Sequence, residues 1–158
     1  MRRPATEFVA QDPAFADRVR ESFARQAFMA TLGASLGRVV PGEVEIGLPF
    51  AQGLTQQHGF LHAGAVAAVV DSACGYAALT LMPPGAAVLS VEFKINLLAP
   101  AAGSRFAAVG RVRRAGRTVT VCEGELYAFL DGSPSEGKLV ALMQGTMMTV
   151  LGRGGLAG

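Results

Sequence analysis

Residues 56–75 read Gln-Gln-His-Gly-Phe-Leu-His-Ala-Gly-Ala-Val-Ala-Ala-Val-Val-Asp-Ser-Ala-Cys-Gly. A polar, glycine-bearing loop ends at His62-Ala63-Gly64. An apolar, helix-like run then continues to about Leu81, where Pro83-Pro84 stops it. Asp71 is the carboxylate in the middle of that run. An acid in such surroundings costs free energy unless it is hydrogen-bonded or put to use. The loop also delivers free backbone N–H groups at a helix N-terminus, where negative charge is favoured. An oxyanion site followed by a lone acid points to acyl-transfer chemistry.

Working outward, Pro83-Pro84-Gly85 is followed by the clearest strand pattern in the chain. Leu89, Val91, Phe93, Ile95 and Leu97 alternate with Ser90, Glu92, Lys94 and Asn96, which predicts one apolar and one polar face. Pro100 ends it. Residues 105–114 and 117–129 read as two strands about a hairpin at Ala115-Gly116. Asp131-Gly132-Ser133-Pro134 is a turn, and 138–150 is the last strand. Upstream, Asp12-Pro13 starts a helix, and Phe15, Val19, Phe23 and Ala27 recur every four residues. One amphipathic helix to about Leu32 is expected, broken by Gly33 and Gly37. Val44, Ile46 and Leu48 mark a half-buried strand that pairs with 36–40 across the turn at Pro41-Gly42. Short connections favour an antiparallel sheet of about six strands, an α+β fold. Gly64, Ala67, Ala68, Gly75 and Ala78 are small, so the central helix is expected to lie close to that sheet.

At 158 residues the chain suffices for one domain with a proper core. A net charge of +2 is too small to argue for nucleic acid, although Arg111, Arg113, Arg114 and Arg117 cluster in sequence. Cys74 and Cys122 lie in apolar context without metal-ligand spacing and read as core residues, so no metal is expected. Met1-Arg2-Arg3 runs into Pro4 and polar residues, not the apolar core of a leader, and a cytoplasmic protein is expected. Residues 63–82 have the length of a membrane span. However, Asp71 and the many Ala and Gly residues read instead as a helix buried in protein, with no membrane partner.

The stretch resembles the signature of hotdog-fold acyl-CoA thioesterases, in particular the PaaI-like (phenylacetate-degradation) branch. That signature is a polar loop, then His-Gly-Gly, then an Asp nine residues after the His; His62 and Asp71 have this spacing, with Ala63 where the family has its first Gly. The resemblance runs from roughly Leu36 to Val150. It implies a curved sheet wrapped around a central helix. The expected organisation is an N-terminal helical segment (1–35), a hotdog thioesterase domain (36–150) and a flexible tail (151–158).

The resemblance also implies roles. Asp71 would act as general base or nucleophile, and the Ala63 backbone N–H would polarise the thioester carbonyl. His62 would sit near the thioester. Gln56 stands where the family often has Asn, and Ser90 matches a position whose hydroxyl orders the catalytic water. Gly59 and Gly64 read as backbone permissiveness beside the ligand, with His58 in the same loop. Arg113, Arg114 and Arg117 are candidate contacts to the phosphates of coenzyme A. The expected function is hydrolysis of aryl- or medium-chain acyl-CoA thioesters, coenzyme A being part of the substrate and no separate cofactor being needed. A non-catalytic acyl-CoA-binding module is the alternative.

Helix geometry bears on assembly. Nine residues of helix rise about 13 Å, too far for Asp71 and its own helix N-terminus to serve one carbonyl. Two such helices packed antiparallel would bring Asp71 of one chain to Ala63 of the other. The resemblance likewise implies sites shared across a twofold interface. A homodimer at least is expected, extending to a dimer of dimers (a homotetramer).

Overall fold

The computed structural model describes residues 8–132 and 135–156. The readings at Met1–Pro4, at Ser133-Pro134 and over the last two residues of the tail lie outside these. The elements are α1 (Phe15–Arg25), α2 (Ala27–Leu32), β1 (Ser35–Val40), β2 (Glu43–Pro49), a short 3-10 turn (Gln52–Leu54), α3 (Ala63–Leu79), β3 (Ala87–Leu97), β4 (Arg105–Ala115), β5 (Val119–Phe129) and β6 (Lys138–Val150). All strand pairs are antiparallel, in the order β1-β2-β4-β5-β6-β3. The sheet packs on α3, giving the expected arrangement of a six-stranded sheet on a long central helix preceded by N-terminal helices. Among the described residues no helix is long and apolar enough to cross a membrane.

The N-terminal helix is two helices. The chain leaves helical geometry at Gln26 (φ −80°, ψ 91°), and α2 restarts on the next residue. The four-residue spacing of Phe15, Val19, Phe23 and Ala27 continues across this break, so periodicity alone could not locate it. The helix starts later than Asp12-Pro13 suggests: its N-cap is Ala14, which has no side-chain cap, and the Asp12 carboxylate instead accepts from the Ala14 N–H at 2.9 Å in the turn that leads into α1. Arg18 then spans to the far end of α3. Its guanidinium donates to the carbonyls of Pro83 (2.7 Å), Leu79 (2.9 Å) and Met82 (2.9 Å), with Asp12 at 3.3 Å. A helix C-terminus leaves carbonyls without partners, and a cation meets both their lone pairs and the helix dipole. Gln11 adds a bond to the Leu81 carbonyl at 2.7 Å.

The tight seat of α3 is built chiefly from the sheet side. Gly110 and Gly124 face each other across β4 and β5. A Cβ on Gly110 would stand 2.3 Å from the Ala73 backbone, and one on Gly124 would stand 2.4 Å from Val70 Cγ1. Of the small helix residues expected to make this approach, Ala78 is fully buried, Ala67 and Ala68 are half-buried and Gly64 is exposed. Gly75 is buried, yet a Cβ there would meet nothing within 4 Å.

The alternating strand at 89–97 also departs from its expected pattern. A bulge between Ser90 and Glu92 puts Val91 out of register. Ser90 lies opposite Met147, whereas Phe93, Ile95 and Leu97 lie opposite Gly145, Met143 and Ala141. Met147, Met143 and Ala141 are all on the buried face, and directly opposed residues share a face. The inward side of β3 is therefore even-numbered before the bulge and odd-numbered after it. One inserted residue reverses the parity of a strand. The strand is also an outer edge of the sheet, beyond β6, and not a neighbour of β4. Leu89, Val91, Phe93 and Leu97 are consequently 40%, 57%, 42% and 53% exposed.

Candidate active site

Asp71 sits mid-way along α3, half-buried, and Ser90 Oγ donates to its Oδ1 at 2.8 Å. The bulge aims Ser90 at the helix, because an unbroken odd-inward pattern along β3 would turn it away. Burial pushes the Asp71 carboxyl above its ordinary value, and the Ser90 hydrogen bond, which favours the ionised form, pulls part of the way back. Asp71 and Ser90 open into a cavity of about 310 Å³ that Ser22, Gln26, Ser72, Gly75 and Tyr76 also line. Burial raises the Tyr76 phenol too, offset in part by a bond with Ser22 and the charge of Arg25. None of Ser22, Gln26 and Tyr76 was singled out from sequence. They come together only because α1 folds back over α3.

The loop before α3 is a small closed turn. Thr55 bridges Leu61, Gln56 N–H donates to the Phe60 carbonyl at 2.9 Å, and Gly59 adopts φ +82°, where a side chain would be strained. Gln56 accepts at its side-chain oxygen from the His58 N–H. The His58 ring is exposed, with Gln57 Nε2 3.5 Å from its Nε2. His62 is the N-cap of α3: its Nδ1 accepts from the Gly64 N–H at 2.8 Å. That bond fixes the neutral tautomer with hydrogen on Nε2. Ala63, the first residue of the helix, has an N–H without an acceptor among the described residues. It faces a second cavity, of about 500 Å³ and largely apolar, shared with Gln56, Phe60, Val66, Leu97 and Leu98.

One chain therefore holds Ala63 and Asp71 in two different cavities. Eight helical steps separate them, about 12 Å.

The arginines divide. Arg113 pairs with Glu123 at 2.5 Å, and Arg111 is held by Glu43 at 2.8 Å and Glu125 at 2.5 Å. Arg114 and Arg117 are exposed and have no ion-pair partner among the described residues. Val119 and Thr120, which close the β4–β5 hairpin, lie beside Met148 and Met147 of β6, and Leu89 and Ser90 flank those methionines on the other side. The free arginines thus sit at the Ser90 end of the sheet. Both cysteines are buried free thiols. Burial pushes Cys74 well above the ordinary thiol range and Cys122 up to about 12, so neither offers a thiolate nucleophile. Among the described residues no three His, Cys, Asp or Glu side chains converge as metal ligands would.

A sequence model of the thioesterase superfamily matches residues 58–132, the stretch from the loop through β5. A thioesterase family protein from Silicibacter pomeroyi is 54% identical in sequence, with a TM-score of 0.84 over 87% of this chain and 99% of that one. A provisionally assigned esterase of Halobacterium salinarum is 31% identical over 123 residues, 75% of this chain and 81% of that one. The E. coli PaaI protein from the phenylacetic acid degradation operon shares the fold, with a TM-score of 0.78 at 21% identity over 90% of this chain and 98% of that one.

Proposed function

The chain belongs to the thioesterase superfamily, and from that premise we propose that it hydrolyses acyl-CoA thioesters with Asp71 as general base. The observation that carries this is the half-buried Asp71 carboxylate, oriented by Ser90 at the mouth of a cavity. A carboxyl whose proton affinity is raised by burial accepts a proton more readily than one in water. In this reading water attacks the thioester carbonyl and gives its proton to Asp71. The tetrahedral oxyanion is met by the Ala63 N–H of a second subunit. Collapse expels the thiol sulfur of coenzyme A, which takes the proton from Asp71. A preorganised oxyanion donor is worth about 3 kcal/mol of barrier.

The need for a second chain follows from the roughly 12 Å between Ala63 and Asp71 in one helix. The edge strand β3, with its exposed Leu89, Val91, Phe93 and Leu97, is the surface offered for that pairing.

Thiol release measured over a panel of aryl- and medium-chain acyl-CoAs tests the proposal. Asp71→Asn is expected to lower kcat by orders of magnitude while leaving acyl-CoA affinity largely intact. Turnover within a few-fold of wild type would remove Asp71 from the mechanism. Single-turnover hydrolysis in ¹⁸O-water is expected to leave Asp71 unlabelled. Label in that carboxylate would make it the nucleophile instead.

A further inference from the structure

The single hydroxyl hydrogen of Ser90 has two acceptors within reach. Asp71 Oδ1 lies 2.8 Å from Ser90 Oγ, and Met147 Sδ lies 3.4 Å from it. The second contact crosses the sheet, because Met147 of β6 stands directly opposite Ser90 at the last pair before the bulge. Sulfur is larger than oxygen and polarisable, and at this distance it serves as a weak acceptor. Met147 is fully buried, so water does not compete for that sulfur. Its methyl end lies along β6, where a Cβ on Gly145 would stand 3.1 Å from Met147 Cε. Glycine at 145 leaves the room in which the thioether lies. Met147 stands behind Ser90 and does not line the Asp71 cavity. The ionisable groups around Asp71 are Arg25 of α1 and Tyr76 of α3 in that cavity, with the Cys74 thiol of α3 and the Cys122 thiol of β5 behind it. Among the described residues none of the four bonds to Ser90.

We propose that Met147 is a positioning residue: its thioether takes the Ser90 hydrogen when Asp71 carries a proton, so that Ser90 then accepts from the acid to which it had donated. While Asp71 is ionised, the carboxylate draws the hydroxyl hydrogen and the sulfur gains little. With a proton on Oδ1, the acid becomes the stronger donor and Ser90 Oγ accepts from it. The hydroxyl turns about its C–O bond, and its hydrogen comes to rest on Met147 Sδ. Only that rotation is involved, and no covalent bond of Ser90 or Met147 forms or breaks. The proposal rests on the hydrolase reading for its place in the cycle: Asp71 carries a proton between attack of water and departure of the thiol. When the proton passes to the thiol sulfur, the hydroxyl turns back. Met147 thus favours the protonated acid, and without it a buried hydrogen would lack an acceptor in that state.

Titration of the Asp71 carboxyl carbon by ¹³C NMR tests this without any substrate. Met147→Leu keeps the volume of the side chain and removes the sulfur. It should lower the titration midpoint, with the acid dissociation constant rising about two- to fourfold. The acid limb of kcat/KM should follow it to lower pH, the direction opposite to loss of the Ser90 hydroxyl. In Ser90→Ala protein the same leucine substitution should move nothing, since Met147 acts through Ser90. Replacing all methionines by norleucine keeps the chain length without sulfur. It should give the same shift, again only when Ser90 is present, and it covers a leucine variant that fails to fold. A midpoint that rises in Met147→Leu would mean that Met147 merely holds Ser90 in place, and it overturns the proposal. An unmoved midpoint, or an equal shift with and without the Ser90 hydroxyl, overturns it too. Absence of thiol release from every acyl-CoA would sink the hydrolase reading alone, and the NMR titration would still decide the role of Met147.

Discussion

Ser90 and Asp71 are joined by a 2.8 Å hydrogen bond that ties an edge strand to the middle of the central helix. The bulge at Ser90–Glu92 is what makes that bond possible. Because the bond favours the ionised carboxylate, its loss raises the carboxyl further above its ordinary value. In Ser90→Ala the acid limb of the kcat/KM–pH profile is expected to move to higher pH. The plateau should fall up to about tenfold, the equivalent of ~1.4 kcal/mol. Ser90→Thr, which keeps the hydroxyl, should restore both. An unmoved acid limb in Ser90→Ala would detach Ser90 from the titration of Asp71.

Asp71 also leaves a mark on stability. Its folded-state carboxyl is raised, so the unfolded chain gives up the proton first. Below the ordinary carboxylate range both states are protonated and no penalty exists. As pH rises through the window between the ordinary and the raised value, the wild type loses stability. Asp71→Asn should therefore be more stable than wild type at pH 7, and the gap should close on acidification. Thermal unfolding across pH checks this, and a constant gap would contradict it.

Ala63→Gly keeps the N–H and should retain activity. Ala63→Pro removes it at the first helical position, where proline is tolerated. His62, at ψ 140°, already has the extended geometry that a following proline requires. The proline variant should therefore fold, as read by circular dichroism, and lose about 10²–10³-fold in kcat. A folded, active Ala63→Pro protein would place the oxyanion donor elsewhere.

Arg114 and Arg117 are better placed than Arg113 for coenzyme A phosphates, since Glu123 already occupies Arg113. The Arg114→Glu, Arg117→Glu double variant should raise KM for acyl-CoA far more than for an acyl thioester of a short uncharged thiol. The difference should shrink with added salt, as exposed charges are screened over about 10 Å at 0.1 M. Equal losses on both thioesters would return the arginines to a solvated hairpin tip.

Two glycines should respond to alanine with opposite signs. At Gly110 a Cβ would collide with the Ala73 backbone, so Gly110→Ala should cost roughly 3 kcal/mol. At Gly75 nothing stands in the way, and Gly75→Ala should add up to ~1 kcal/mol. Urea unfolding of the two variants measures both.

The loop, the acid and the helix could be read from residues 56–75 because each leaves a local signal: glycine at a turn, an apolar run, a lone carboxylate within it. The family resemblance supplied Ser90. The bulge that aims it left no trace in a strand whose alternation looks unbroken through Val91. Gln26, Ser22 and Tyr76 were invisible for a related reason. They meet only when α1 packs back on α3, and polar residues on an amphipathic helix carry no hint of which neighbour they will face. Nothing local in the sequence sets Arg18 apart, because its partners, the carbonyls of Leu79, Met82 and Pro83, lie more than sixty residues away. Gly110 and Gly124 did carry a usable sign, since isolated glycines within strand patterns mark close backbone approach.

The bonds from Arg18 to the carbonyls of Leu79, at the end of α3, and of Met82 and Pro83, just beyond it, join the first described helix to the buried one across more than sixty positions of chain. Detaching α1 would strip the Arg18 guanidinium from all three carbonyls and leave that of Met82 without its partner, so the two helices are expected to melt in one step. Amide protons near the end of α3 should then exchange with solvent at the rate of whole-molecule opening, not of local fraying. A protease that clips the chain between α1 and β1 would not trim an appendage. It would release the cap that holds the core helix closed.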